Sequence, residues 1–148
     1  MKKAIRKPRK KTMTVVIGAS RLGAYIASEA SQNGIYTSII DLSPESFKKL
    51  DSGYSGYTVV GDATDQGILD KAHIQDAKEV VITTGDDNTN IFLACMIAAY
   101  YDVPYIIVRV RDEKKAAIIT DEKINIISTS SLSLQAYKAI HSQEEDNI

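Results

Sequence analysis

A run of β-branched residues at 14–17 breaks into Gly18-Ala19-Ser20-Arg21-Leu22-Gly23 and then into a helical pattern. The chemistry open to such a junction is the holding of an anion. Gly18 ends the strand in a tight turn, because glycine tolerates backbone angles that a Cβ forbids. A helix opening at Arg21 aims its unpaired backbone N–H groups and the positive end of its dipole at that turn. The spacing compares with the dinucleotide fingerprint Gly-x-Gly-x-x-Gly: Gly18 and Gly23 hold the first and third glycine positions, and Ser20 stands at the second. The second glycine lets a pyrophosphate approach the backbone, so Ser20 either displaces the phosphates slightly or donates its hydroxyl to them. Arg21, one step into the helix, either reaches a phosphate as a charge-assisted donor or stays an exposed helix-start charge.

The next strand ends at Asp41, followed by Leu42, roughly 20 residues after the turn, where the fingerprint places a carboxylate on the ribose hydroxyls. A carboxylate there repels a 2′-phosphate, which favours NAD, ADP, ATP or AMP over NADP. Polar groups recur at each later strand end: Gly61-Asp62-Ala63-Thr64, then Thr83-Thr84-Gly85-Asp86-Asp87-Asn88, then Arg109. Taken singly, each is also an ordinary helix cap or surface loop. In an open parallel sheet, however, ligands sit outside the carboxyl ends of the strands where the strand order reverses, so these groups are expected to converge on one crevice. Asp86 and Asp87 are adjacent carboxylates without a third ligand, a weak signal for a divalent cation.

The elements that must position these residues are six short apolar strands alternating with helices. Strands are expected at 14–17, 36–40, 57–60, 80–82, 105–108 and 124–127, and helices at 21–33, 44–50, 65–72, 88–101, 113–120 and 130–141. That alternation predicts an α/β fold, a doubly wound parallel six-stranded Rossmann-like sheet in a single domain. Leu22, Tyr25, Ile26 and Ala30 are expected to share one side of the first helix. Ser43 is expected to cap the second, with Pro44 in its first turn. The helix at 88–101 is apolar nearly all round, which implies packing on more than one side, against the sheet and another subunit. Cys95 lies within it and is read as a buried packing thiol.

With 148 residues, 44% of them hydrophobic and 25% charged, the chain is sized for one soluble domain. No apolar run reaches the roughly 20 residues that span a bilayer, and the basic start lacks an apolar segment after it, so a cytoplasmic location is expected. The lone cysteine fits a reducing compartment. The net charge of −1 conceals an asymmetry: seven of the 18 basic residues precede the first strand, and 11 remain against 19 acidic ones. Residues 1–12 are read as a disordered basic arm, 13–142 as the domain and 143–148 as an acidic tail. The arm has no interleaved aromatic residues, and the body behind it is acidic, so it is read as a solubilising terminus and no nucleic-acid partner is expected.

The glycine turn, Asp41, Gly61-Asp62-Ala63-Thr64, the segment from Thr83 to Asn90 and Arg109-Val110-Arg111-Asp112, in this order, resemble the N-terminal nucleotide-binding lobe of RCK/KTN domains. These domains are cytosolic regulators of Trk and Ktr potassium transporters and of many potassium channels, and the resemblance covers residues 13–142. It implies that the turn from Gly18 to Gly23 wraps the phosphates of an adenine nucleotide and that Asp41 holds the adenosine ribose. Asp62, Ala63 and Thr64 are then expected to border the adenine. Thr83, Thr84 and Arg109 are expected to line the same cleft. It further implies a homodimer or a higher ring-like oligomer, paired through the helix after the fourth strand and the last helix, and docked on a membrane potassium transporter subunit at the inner face of the membrane. The second lobe that many relatives carry, with any second-messenger or cation site in it, is expected to be absent. The competing reading is an NAD-dependent oxidoreductase or a redox-sensing module. Hydride transfer needs a substrate lobe and an acid/base residue, and the two histidines, His73 and His141, fall in a connection and near the tail.

Overall fold

A computed structural model describes residues 10–145, with side chains to residue 142. Residues 1–9 of the basic arm and 146–148 of the acidic tail lie outside the described residues. The elements run β1 (Met13–Ile17), α1 (Arg21–Gln32), β2 (Thr37–Asp41), a 3-10 helix (Pro44–Lys49), β3 (Tyr57–Val60), α2 (Gln66–Lys71), a 3-10 turn (Ile74–Asp76), β4 (Ala77–Ile82), α3 (Asp87–Tyr100), β5 (Tyr105–Arg109), α4 (Glu113–Ala116), β6 (Ile124–Ile127) and α5 (Thr129–Glu145).

The six strands form one parallel sheet in the order β3-β2-β1-β4-β5-β6, the doubly wound order expected. Strand β1 lies at its centre and is buried along its whole length, as its uninterrupted β-branched run requires. Val16 sits in register between Ile39 of β2 and Val81 of β4. Side chains alternate across the sheet and build two cores. On one face Val15, Ile17, Ile40, Val80, Ile82 and Ile106 meet Leu69 of α2 and Leu93 and Ile97 of α3. On the other, Val16, Ile39 and Val81 meet Ala27 of α1, with Phe47 and Leu50 packed against them.

Several local expectations are corrected. Helix α1 buries Gly23, Ala24, Ala27 and Ser28, while Tyr25 is exposed. The helix lies so close to the sheet that small residues must face inward and bulky ones flank the contact. Ser43 makes no side-chain cap; the Asp41 carboxylate accepts its backbone N–H instead, and a 3-10 helix follows. Helix α4 stops at Ala116, short of the expected residue 120. Helix α3 buries one stripe, Asn90, Leu93, Ala94 and Ile97. Cys95, two residues and about 200° round from Leu93, is therefore exposed and not a buried thiol.

Candidate functional site

The strand order reverses between β1 and β4, and a cleft of about 470 Å³ opens at their carboxyl ends. That volume is within the range of small-molecule sites. Its apolar floor is Ile17, Ile40, Ala63 and Leu93, and the polar groups come from the loops after β1, β2, β3 and β4.

The glycine turn is held tightly against the end of β4. Gly18 has φ +96°, a left-handed conformation that favours glycine, and a Cβ there would lie 2.6 Å from the Thr84 nitrogen. A Cβ at Gly23 would lie 2.1 Å from the Gly18 carbonyl oxygen and 2.5 Å from Thr83 Oγ1. Thr83, wholly buried, donates its hydroxyl to the Gly18 carbonyl at 3.0 Å and so locks turn to strand. Ser20 adopts ordinary extended backbone, φ −69° and ψ 174°, and its Oγ accepts the Gly23 N–H at 3.1 Å. No glycine is therefore needed at position 20 for the turn to form, and the serine hydroxyl hydrogen is left to donate elsewhere.

Asp41 closes the turn from the other side. Its Oδ2 accepts the Ala19 N–H at 2.8 Å and its Oδ1 accepts the Ser43 N–H at 2.9 Å, so two backbone donors fix the carboxylate at the mouth of the glycine turn. Leu42, beside it, is exposed and lines the cleft. Asp62 and Ala63 also line it. Thr64 does not; it donates both its N–H and its hydroxyl to Asp62 Oδ1, and those bonds hold the Asp62 carboxyl below the usual carboxylate range.

From β4 and α3 come Thr83, Thr84, Gly85 and Asp86, all on the lining. Asp86 caps α3 by accepting the Thr89 N–H at 2.8 Å, which lowers its pKa. Asp87 turns away and accepts the backbone N–H groups of Arg111 and Asp112. The two carboxylates thus serve different loops, and among the described residues no group of three or more His, Cys, Asp or Glu is placed to hold a metal ion.

Arg21 and Asn88 are exposed outside the cleft lining, and Leu22 and Gly23 stand behind the turn. Arg109 lies beneath the cleft: 9% exposed, it donates through one guanidinium nitrogen to the Thr83 and Thr84 carbonyls, each at 3.0 Å. Burial pulls its pKa down, the neighbouring Arg111 adds to this, and Asp87 opposes it. The buried Asn90 completes the support by accepting from the Thr84 N–H and hydroxyl and donating to the Thr84 and Arg109 carbonyls.

Sequence reasoning missed Ser46 and Lys49 of the 3-10 helix and the apolar lining residues Ile17, Ile40 and Leu93. Lys49 and Lys48 are neighbours in sequence, and only the turn of the 3-10 helix separates them. Lys48 pairs with Glu45 at 2.5 Å, whereas Lys49 reaches the Ala19 carbonyl at 3.0 Å.

An open parallel sheet with a glycine turn, a strand-end carboxylate and a crevice at the point of reversal defines a Rossmann-type domain. Within that class the chain belongs to the TrkA-N domain family, whose profile matches residues 14–130. It is 34% identical over 110 residues to the Trk system potassium uptake protein TrkA homolog of Pyrococcus horikoshii, covering 74% of this chain and 48% of that protein. Against the TrkA of Streptomyces coelicolor the identity is 30% over 115 residues, 78% of this chain and 52% of the relative. The chain thus spans about half the length of these relatives. Among solved structures, the TrkA-N domain of the inner membrane protein ybaL from Escherichia coli superposes with a TM-score of 0.77 at 18% identity, covering 88% of this chain and 96% of that one. The GsuK channel bound to NAD gives 0.70 at 24% identity, over 93% of this chain and 24% of the channel. The Kef CTD of Shewanella denitrificans in its AMP-bound form gives 0.66 at 19% identity, over 88% and 81%. At these identities the structures show a shared fold.

Proposed function

We propose that this chain is a nucleotide-binding regulatory part of a Trk- or Ktr-type potassium uptake system. It binds an adenine nucleotide, NAD(H), ADP, ATP or AMP, at the carboxyl edge of the sheet and gates a membrane transporter from the cytoplasmic side. The observation that carries the reading is the Asp41 carboxylate seated on the Ala19 N–H, a strand-end carboxylate beside the glycine turn, where the dinucleotide fingerprint has its ribose acceptor. The family supports it, as do fold neighbours whose structures hold NAD and AMP.

We read the cleft as one that holds a ligand. Its described lining residues include no His, Cys or Tyr, and its carboxylates Asp41, Asp62 and Asp86 each accept hydrogen bonds from the neighbouring backbone. His73 lies at the opposite edge of the sheet, before β4, against Tyr57. Regulation then requires that the nucleotide bind one arrangement of paired subunits better than another, since a ligand with equal affinity for both shifts nothing. The exposed apolar residues of α3 and α5, among them Phe92, Tyr100, Leu132 and Ile140, support pairing into a homodimer or ring.

Thermal-shift and calorimetric titration with NAD, NADH, NADP, AMP, ADP and ATP tests the reading. A nucleotide at about 100 times its Kd adds about 2.7 kcal/mol to the folded state, which raises Tm by roughly 5–10 °C for a chain of this size. The expected result is saturable binding by at least one of the five lacking a 2′-phosphate, lost in Asp41→Ala while the unliganded variant stays folded. Silence from all of them overturns the nucleotide reading.

A further inference from the structure

The cleft is short of positive charge. Its described lining residues include three carboxylates, Asp41, Asp62 and Asp86, and a single cationic side chain, Lys49. Arg21 stands outside, and the Arg109 guanidinium is occupied with carbonyls beneath the floor. A phosphorylated ligand brings at least one further negative charge into this field. Something must offset it beyond the helix N-terminus.

Lys49 occupies a telling position. Its Nζ donates to the Ala19 carbonyl at 3.0 Å, and the N–H of the same residue is taken by Asp41 Oδ2 at 2.8 Å. A cation and a carboxylate therefore grip the two ends of Ala19, in the middle of the glycine turn. With a ribose on Asp41 and a phosphate in the turn, Ala19 marks the passage from one to the other. An ammonium has three donors and Ala19 takes one, leaving two for a ligand oxygen. The neighbouring Lys48 is drawn off by Glu45 and is not on the lining.

We infer that Lys49 is the residue by which the cleft distinguishes an adenosine 5′-phosphate from unphosphorylated adenosine: it supplies the counter-charge to the phosphate attached directly to the ribose. This rests on the nucleotide reading above, and it assigns to the 3-10 helix after β2 a part in selecting the ligand as well as in packing. Lys49 contributes nothing to adenosine itself, whose binding depends on Asp41 and the apolar floor.

The test is calorimetric titration of the wild type, Lys49→Gln and Lys49→Arg with adenosine and AMP, at two salt concentrations. Loss of one charge-assisted contact at an exposed site is expected to weaken AMP by about tenfold. Adenosine is expected to bind wild type and Lys49→Gln within about twofold of each other, and Lys49→Arg to recover most of the AMP affinity. The weakening of AMP by salt is expected to flatten in Lys49→Gln, because the screened pair is gone. Equal losses for adenosine and AMP would show that Lys49 only holds the Ala19 turn in shape, and unchanged AMP affinity would show that it does not meet the phosphate; either overturns the assignment. Failure of the wild type to bind AMP while another of the nucleotides named above binds overturns the assignment alone, and failure to bind any of them removes the nucleotide reading as well, so the two failures are told apart. Since Lys49 is exposed, both variants are expected to keep the unliganded Tm.

Discussion

Gly23 has no room for a side chain. A Cβ there would press on the Gly18 carbonyl oxygen at 2.1 Å, a backbone atom that cannot swing aside, and on the Thr83 hydroxyl that holds the turn. Gly23→Ala is therefore expected to cost about 1–3 kcal/mol, as overpacking does, and to lower Tm by roughly 3–10 °C. Thermal denaturation checks this, and an unchanged Tm would show that α1 can move off the sheet freely. Nucleotide affinity is expected to fall with it, because the turn must open to admit the methyl. The two glycines and Asp41 were legible in the sequence because each is required by a backbone event that spacing alone encodes: a left-handed turn, a close helix approach, a carboxylate at a strand end. Lys49 was not. Two adjacent lysines in a polar segment look alike in sequence, and only the pitch of the 3-10 helix sends one to Glu45 and the other to Ala19. Arg109 was legible as a strand-end charge but not as a buried one, since its destination depends on the carbonyls of Thr83 and Thr84, in the loop after β4.

Helix α3 joins the cleft to the far half of the sheet. Its Asp86 lines the cleft, its Asp87 holds the loop after β5, and its Asn90 bonds to Thr84 and Arg109 from a fully buried position. Removing Asn90 leaves the Thr84 N–H and the Arg109 carbonyl without that partner inside the fold. Buried polar groups stripped of partners cost about 1–3 kcal/mol, so Asn90→Leu is expected to be destabilising by about 3 kcal/mol in chemical denaturation, and a neutral result would show that water replaces the amide. Asp87 makes the same connection sensitive to acid. Burial works to raise its pKa, but the N–H groups of Arg111 and Asp112 and the charges of Lys115 and Arg111 prevail and hold it below the ordinary value. A carboxyl with a depressed folded pKa adds stability that is fully present above its unfolded pKa, about 3.9, and is lost as pH falls through the folded one. The acid limb of the wild type is thus expected below about pH 4, and Asp87→Asn is expected to flatten it; an unaltered limb would assign acid sensitivity to Asp62 and Asp86, which are depressed by the same kind of bond. At this scale the strands were legible because their apolar runs are continuous. The burial of α3 was not, because a sequence apolar all round does not reveal which stripe the sheet takes.

The whole molecule contains one element that the chain by itself does not explain. Helix α5, 17 residues from Thr129 to Glu145, is about 25 Å long, yet Leu132, Leu134, Tyr137 and Ile140 are each more than half exposed. A helix of that length is marginal in water without packing, and its apolar side chains meet little of the body. Leu132, Ala136 and Ile140 recur at intervals of four and form a stripe. The outer face of α3 presents Phe92, Cys95 and Tyr100, likewise uncovered. Both surfaces are accounted for at once if a second copy covers them, which is the pairing proposed above. Stability then depends on protein concentration, because association favours the folded state by mass action. The wild type is expected to sediment as a dimer or larger species, with a Tm that rises on concentration. Leu132→Ser combined with Ile140→Ser is expected to give a monomer whose Tm no longer depends on concentration, with nucleotide still bound, because neither residue lines the cleft. A wild type that sediments as a monomer at every concentration removes self-pairing as the account of α5. A double variant that loses the nucleotide as well as the partner shows that the cleft is completed across the interface. That last outcome would place the coupling of ligand to assembly in the binding site itself, since a nucleotide held by two subunits binds their paired state better than the free one.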